Sequence, residues 1–195
     1  NITFTGAGST APYTFTYNIN GGAPLTVSTT LGNSITVAVP TNVAGTFTYN
    51  LLSVQDASST TCSQNQTGSS VVTVNALPVT NFTNSTPSCE TRDILVTDNS
   101  NPLVGTLTNW AWNFGDPGSG ANNTSTLQNP THTFSTAGNY TVSLNVITSN
   151  FCTNAAAFTR IVTINDRPLA GYIIPEVCLS DTYAQFLDTS KVANG

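Results

Sequence analysis

An internal repeat with a period of about 90 residues limits the folds open to this 195-residue chain. The run Val71-Val72-Thr73-Val74-Asn75-Ala76-Leu77-Pro78 returns 90 positions later as Ile161-Val162-Thr163-Ile164-Asn165-Asp166-Arg167-Pro168. Cys62 is matched by Cys152 at the same spacing. Several matches in one order at one offset indicate a tandem array of similar units.

Two prolines mark the predicted boundaries between units. Pro78 and Pro168 each follow a β-branched run, and proline ends a strand ladder because it has no backbone N–H. The sequence therefore predicts a first unit over residues 1–76 that lacks its N-terminal strand. A second unit is predicted over 77–166, and an incomplete third over 167–195.

The patterning of apolar residues predicts strands throughout the chain. Trp110, Trp112 and Phe114 alternate with polar or small residues, and so do the apolar residues between Tyr140 and Val146. Thr, Asn and Ser dominate the background, and no segment has a sustained helical period. The predicted fold is all-β, with tandem immunoglobulin-like sandwiches of about seven strands each, arranged end to end.

The small number of charged residues excludes several classes of function. Four Lys or Arg residues cannot form the basic surface that nucleic-acid binding needs, and no apolar run has the roughly 20 residues of a membrane span. One histidine and nine scattered acidic residues leave little for acid–base catalysis, so no enzymatic activity and no cofactor are predicted. Low charge together with four cysteines favours an exported protein.

Three motifs in the second unit occur in a characteristic order. They are Trp112-Asn113-Phe114-Gly115-Asp116, then Asn129-Pro130-Thr131-His132-Thr133-Phe134, then Ala137-Gly138-Asn139-Tyr140-Thr141-Val142. With them the second unit resembles the polycystic-kidney-disease (PKD) domain. The resemblance implies structural roles for Trp112, Phe114, Gly115, Asp116, His132, Gly138 and Tyr140.

The first unit is similar to immunoglobulin-like repeats of large Bacteroidota surface proteins. Such repeats occur in adhesins and gliding-motility-associated proteins that the type IX system secretes. The resemblance implies an extracellular or cell-surface spacer whose partners are neighbouring repeats, with polysaccharide or protein ligands bound by other domains. One alternative is a carbohydrate- or protein-binding accessory module of a secreted enzyme. Another is a polymer in which strand addition completes one subunit's end.

The cysteines allow more than one pairing. The repeat suggests one early and one late cysteine per unit, so Cys89 and Cys152 are the predicted in-domain pair, and Cys62 and Cys178 would pair outside residues 1–195. The loops carrying Cys89 and Cys152 should lie at opposite ends of a sandwich, beyond the reach of a disulfide. A bridge between neighbouring units and unpaired thiols therefore stay open.

The aspartates near strand ends suggest turn capping rather than metal binding. Asp98 and Asp188 occupy matching positions, nine and ten residues after Cys89 and Cys178. Calcium sites need six or more oxygen ligands with several carboxylates close together, and no such run occurs. Calcium at a domain junction is the weaker alternative.

The short linkers lead to a prediction about shape. Because little chain separates the units at Pro78 and Pro168, we expect an elongated array rather than a compact pair. A sandwich of about 90 residues is roughly 35–40 Å long, so two complete units should extend about 70–80 Å. Small-angle scattering on the two completed units measures this dimension. A maximum dimension little above that of one unit would contradict the spacer interpretation.

Overall fold

The computed structural model describes residues 1–178 and 182–192. It confirms the predicted all-β fold. The chain divides into two compact units, Asn1–Ala76 and Leu77–Gly195, each with its own core. No described helix is long and apolar enough to cross a membrane.

The first unit contains a four-stranded and a two-stranded antiparallel sheet. The strands are β1 (Ile2–Thr5), β2 (Thr14–Ile19), β3 (Leu25–Ser28), β4 (Ser34–Val37), β5 (Gly45–Gln55) and β6 (Ser63–Val74). The larger sheet has the order β3-β2-β5-β6, and β1 pairs with β4 in the smaller one. The long hairpin of β5 and β6 therefore forms one side of the larger sheet.

A tight turn after β2 follows from its sequence. Asn20 and Gly21 both have positive φ, at 52° and 73°, and the N–H of Gly22 donates to the carbonyl of Ile19 at 2.9 Å. Asn and Gly are the residues that adopt this conformation at the least cost, and an Asn-Gly pair is typical of tight hairpin turns.

Aromatic rings fill the core of the first unit. Phe4 on β1 packs against Phe15 and Tyr17 on β2, with ring centroids 5.5 and 5.1 Å apart. Tyr17 in turn stacks on Tyr49 of β5 at 6.1 Å. Offset ring contacts of this kind add to the free energy gained by burying the rings, and here they join both sheets.

The second unit contains a four-stranded and a three-stranded antiparallel sheet. The strands are β7 (Phe82–Asn84), β8 (Asp93–Asp98), β9 (Leu107–Asn113), β10 (Thr124–Ser125), β11 (Thr131–Thr133), β12 (Gly138–Thr148) and β13 (Phe158–Ile164). The sheet orders are β10-β9-β12-β13 and β11-β8-β7. A short 3-10 stretch, Pro117–Asn123, joins β9 to β10 and is interrupted at Gly120.

The core of the second unit lies between its two sheets. Trp112 is buried and meets the edge of Phe82 at 5.1 Å, and Phe82 also contacts Phe158 at 5.5 Å. Trp110 and Tyr140 are only partly buried and pack at the margin of this core. Trp112 is therefore fully enclosed, whereas Tyr140 is not.

A short hairpin follows the second sandwich. β14 (Tyr172–Ile173) pairs with β15 (Leu187–Asp188), and Leu169 bridges to Lys191 beyond them. The sequence predicts longer strands here, over 169–174 and 182–187. The pairing is shorter because this hairpin has no second sheet packed on it among the described residues, and two strands alone are only marginally stable.

The buried hydroxyl of Tyr49 leads to a stability prediction. Tyr49 and Tyr13 are both 2% exposed, but the Tyr49 hydroxyl has no partner among the described residues. The Tyr13 hydroxyl donates to the Ser9 carbonyl at 2.5 Å and accepts from the Ser9 N–H at 3.1 Å. An unpaired buried hydroxyl costs about 1–3 kcal/mol, so we expect Tyr49→Phe to stabilise the first unit.

Tyr13→Phe is the matched control. It removes the same atom from an equally buried ring but leaves the Ser9 groups unpaired, so it should lower the free energy of unfolding by about 1 kcal/mol. Thermal and urea denaturation of both variants measure the difference. A loss of stability in Tyr49→Phe equal to that in Tyr13→Phe would contradict the assignment.

Candidate functional site around His132 and Asp116

His132 lies at the centre of β11 and points into the second sandwich. It is opposite Ile94 of β8, and its neighbours Thr131 and Thr133 face outward. Because successive side chains alternate between the two faces of a strand, this register places the imidazole in the core. The histidine is 4% exposed.

Two aromatic rings hold the imidazole. Phe114 stacks on it with centroids 4.3 Å apart and an angle of 8° between the planes. Phe134 meets it edge to face at 4.5 Å and 85°. The ring of His132 is therefore part of the hydrophobic core as well as a polar group.

Asp116 provides the polar partner of His132. The Nε2 of His132 and the Oδ2 of Asp116 are 3.0 Å apart, and both side chains are buried. When the carboxylate is ionised it can only accept a hydrogen bond, and Nε2 is then the donor. A buried carboxylate without such a donor would be costly, so the contact with His132 stabilises the folded state.

The loop after β9 fixes the position of Asp116. Its backbone N–H donates to the Oδ1 of Asn123 at 2.7 Å. Its carbonyl accepts from both the N–H and the hydroxyl of Ser119, at 3.0 and 2.7 Å. The Ser119 hydroxyl thus donates to the backbone. A nucleophilic serine needs a hydrogen bond to a base, and Ser119 makes none to His132. This arrangement stabilises the loop and offers no chemistry among the described residues.

Gly115 is required by the close approach of two strands. Its φ is +69°, and a Cβ at this position would lie 2.5 Å from the carbonyl oxygen of Thr141 on β12. Backbone cannot move aside as a flexible side chain can, so only glycine fits.

Gly138 opens β12 with a φ of +154°, but the nearest group to its missing Cβ is the Tyr140 ring at 3.8 Å. The hydroxyl of Tyr140 donates to the Thr136 carbonyl at 3.0 Å.

Asp98 and Asp188 cap turns. The Oδ1 of Asp98 accepts the Ser100 N–H at 2.9 Å, and its Oδ2 accepts the indole N–H of Trp110 at 2.7 Å. The Oδ1 of Asp188 accepts the Ser190 N–H at 2.8 Å, and hydrogen bonds from Ser190 hold the pKa of Asp188 below its ordinary value. No group of three metal-binding side chains occurs among the described residues.

The structure does not bring Cys89 and Cys152 together. Cys89 bridges to Asn165 beyond the end of β13, beside the start of β12, and Cys152 follows the other end of β12. The 11 residues of β12 separate the two by about 30 Å, far more than a disulfide spans. The predicted in-domain bridge is therefore not formed, and both thiols are free.

The other two cysteines lie on exposed parts of the chain. The exposed thiol of Cys62 is free, at the start of β6 and 3.3 Å from the Thr60 hydroxyl. Cys178 is exposed in the segment after β14. Their pairing with groups beyond residues 1–195 stays a prediction.

A polar cluster around Asp56 in the first unit is not evident from the sequence. Its carboxylate accepts hydrogen bonds from the hydroxyls of Ser9 and Ser58 and from the N–H of Cys62, the last at 3.0 Å. The bonds from Ser9 and then Ser58 lower the pKa of Asp56. The spacing of Asp56 and Ser58 indicates a local turn, but Ser9 is 47 residues away, and only the fold brings it there.

Comparisons with known proteins place the second unit in a family. Residues 75–163 match the family model described as the PKD domain. The PKD1 domain of Vibrio anguillarum Epp is 31% identical, with 46% of this chain and 95% of that chain covered and a TM-score of 0.39. The PKD1 domain from the Vibrio cholerae metalloprotease PrtV is 21% identical, with coverage of 46% and 98% and a TM-score of 0.38. No curated protein matches the chain.

Two glycines with positive φ test the close approach at Gly115. Gly120 has a φ of +60° and a ψ of −123°, but a Cβ there would meet nothing within 4 Å. Gly120→Ala should cost only the backbone strain of about 1–3 kcal/mol. Gly115→Ala adds the clash with Thr141, and overpacking costs typically about 1–3 kcal/mol more. Thermal denaturation compares the two, and equal losses would contradict the steric argument.

The lowered pKa of Asp56 predicts a dependence on pH. Because the folded state holds the pKa below its ordinary value, the ionised carboxylate stabilises the first unit above about pH 4. That contribution is lost as the pH falls through the folded pKa. Asp56→Asn should therefore melt below the parent at pH 7, and the two melting temperatures should converge in acid.

Ser59→Ala serves as the control for this titration. The Ser59 hydroxyl makes no hydrogen bond with any described residue. The melting temperature of Ser59→Ala should therefore equal that of the parent at every pH. A melting-temperature difference for Asp56→Asn that stays constant down to pH 2 would show that Asp56 acts without its charge.

Proposed function

We propose that this chain, whose residues 75–163 form a PKD domain, is a non-catalytic structural segment of a secreted protein and serves as a spacer. We assign it to a large adhesin or filament at the cell surface, of the kind used for attachment or gliding and exported by the type IX system. Its neighbours in the array are its principal partners.

The observation that carries the proposal is a hydrogen-bond pattern that recurs with the sequence repeat. Val79 and Asn101 exchange two backbone hydrogen bonds, at 2.9 and 2.8 Å. Leu169 and Lys191, 90 positions later, exchange the same two bonds at 2.8 Å each. Equivalent backbone groups therefore pair at equivalent positions in consecutive parts of the chain.

Side chains follow the same pattern. The Ser100 hydroxyl donates to the Asn81 carbonyl, and the Ser190 hydroxyl donates to the Gly171 carbonyl. The N–H of each serine donates to an aspartate two residues before it, and these aspartates are also 90 positions apart. A hairpin that repeats to this level supports the interpretation of residues 167–195 as the beginning of a third module of the same kind.

The surface of this hairpin agrees with a third module. Phe82 and Val96 are 0% and 2% exposed in the second unit, where the sheet containing β9 covers them. Their counterparts Tyr172 and Phe186 are 66% and 63% exposed. The hairpin thus carries the apolar residues that a second sheet would bury, as expected of a module in an array.

The polar groups of the second unit also favour a structural role. The histidine of the chain is enclosed by Phe114, Phe134 and Asp116, with its Nε2 proton committed to the carboxylate. A general base needs access to a substrate proton. At 4% exposure, His132 lacks that access.

An accessory binding module is the second candidate function. Phe151 is 89% exposed at the loop between β12 and β13, where an aromatic ring could stack on a sugar. Against this, Tyr13, Tyr17 and Trp112 are all buried, and Trp110 is half-buried. A binding surface normally needs several exposed aromatic or apolar groups in one patch.

Affinity electrophoresis distinguishes the two functions. The whole chain is run through gels that contain soluble cellulose, chitin, xylan or alginate derivatives, beside a Phe151→Ser variant. A spacer should migrate equally in every gel, and the variant should migrate with it. Retardation of the parent that disappears in Phe151→Ser would overturn the spacer proposal in favour of a binding module.

A mechanical measurement tests the spacer role directly. The chain is stretched between marker domains in a single-molecule pulling experiment. Each sandwich should unfold as a separate event, and the roughly 90 residues of the second unit should release about 300 Å of chain. Gradual extension without discrete events would contradict a load-bearing array.

A further inference from the structure

The outer strand of the larger sheet in the first unit has an unusual edge. β6 spans 12 residues, Ser63–Val74, and lies at the end of the order β3-β2-β5-β6. Only β5 pairs with it, so the backbone groups on its other side have no strand partner among the described residues. Almost every residue of β6 is exposed or only partly buried.

The sequence of β6 does nothing to protect this edge. Proteins usually protect a long edge strand with a charge, a proline, a β-bulge or a covering segment, because free N–H and C=O groups otherwise recruit another strand. β6 contains no charged residue and no proline, and its register shift opposite Leu51 to Ser53 leaves residues 68–74 in regular pairing with β5. Its serine, threonine, asparagine and glutamine side chains make no hydrogen bonds with any residue that the structure describes, so they too are available.

The corresponding strand of the second unit is protected. β13 is the edge of its sheet but has only seven residues. It carries Arg160 on its inner side, where the guanidinium lies 5.7 Å from the centre of the Phe82 ring and 3.5 Å from Asn81. An inward-pointing charge on an edge strand opposes pairing with a second chain, because pairing would bury it further. The repeat places Ser70 of β6 at this position.

A segment preceding the first unit would not cover β6 if it followed the pattern of the second. In the second unit, the segment between β7 and β8 reaches the larger sheet at one point. There Cys89 bridges to Asn165, one residue beyond β13. The 90-residue spacing maps Asn165 to Asn75, one residue beyond β6. Along its own length, β13 is paired only with β12 among the described residues, and β6 would be equally uncovered.

We propose that β6 is a lateral docking edge that pairs antiparallel with β6 of a second copy of this chain. A two-fold arrangement brings the same surface of each copy together, so the regular part of the edge, residues 68–74, can pair with its counterpart. β-strand addition provides the affinity through backbone hydrogen bonds, which need no particular side-chain sequence.

The near absence of charge in the first unit favours a second copy as the partner. Asp56 is the only charged side chain in residues 1–76, so two copies can approach edge to edge without repulsion between like charges. The same scarcity offers nothing to a basic or acidic partner, which would need complementary charge. Each contact is small, but repetition along an array would strengthen it by multivalency.

Sedimentation velocity over a concentration series tests the proposal on the intact chain. We expect a reversible monomer–dimer equilibrium whose dissociation constant changes little between low and high salt, because no charges meet in the interface. Ser70→Arg and, separately, Thr73→Lys each place a charge on the edge strand, a device by which proteins prevent strand addition, and should raise the dissociation constant at least tenfold. A parent chain that stays monomeric at millimolar concentration would overturn the proposal.

A matched substitution on the protected edge provides the control. Ile161 is 65% exposed on β13, and Ile161→Lys should leave the dissociation constant unchanged. Hydrogen exchange should show slower exchange of β6 amides in the dimer, with thermal melts confirming that each variant is folded. A dimer that survives Ser70→Arg and Thr73→Lys equally would place the interface elsewhere and refute the proposal.

Discussion

Packing of aromatic rings between two sheets is the interaction on which both units depend. Few ion pairs can contribute, because so few residues are charged, and the free energy must come mainly from buried apolar area. In the second unit Trp112 meets Phe82, and His132 stacks on Phe114, so each sheet contributes rings to the other. Asp116 can be buried among these rings because His132 lies within hydrogen-bond distance of its carboxylate. The exclusion of water strengthens this contact.

The alternation of apolar and polar residues was sufficient to predict the positions of several strands. The strand Phe158–Ile164 has the bounds that its alternation indicates, since a period of two residues fits an extended backbone with one buried face. Long-range contacts could not be predicted in this way. Ser9 reaches Asp56 and Gly115 meets Thr141 only because strands distant in sequence become neighbours, and no spacing rule contains that information.

The cysteines illustrate a limit of reasoning from repeats. Spacings of 90 and 89 residues identify Cys62 with Cys152 and Cys89 with Cys178 as equivalent positions, but equivalence in a repeat is not proximity in space. The early and late cysteines of one unit occupy opposite ends of the same strand system, about 30 Å apart. The family resemblance, by contrast, is confirmed by the PKD family model over residues 75–163, because its motifs describe one local fold.

The repeated hairpin has a consequence for the fidelity of folding. Two hairpins with the same hydrogen bonds in one chain could exchange, and each could fold onto the wrong sheet. Phe186 stands where the second unit has Val96, a residue that is 2% exposed. A phenylalanine ring has no room in a space packed around valine, and overpacking costs about 1–3 kcal/mol. The larger ring of Phe186 therefore disfavours docking of the terminal hairpin on the sheet that contains β9.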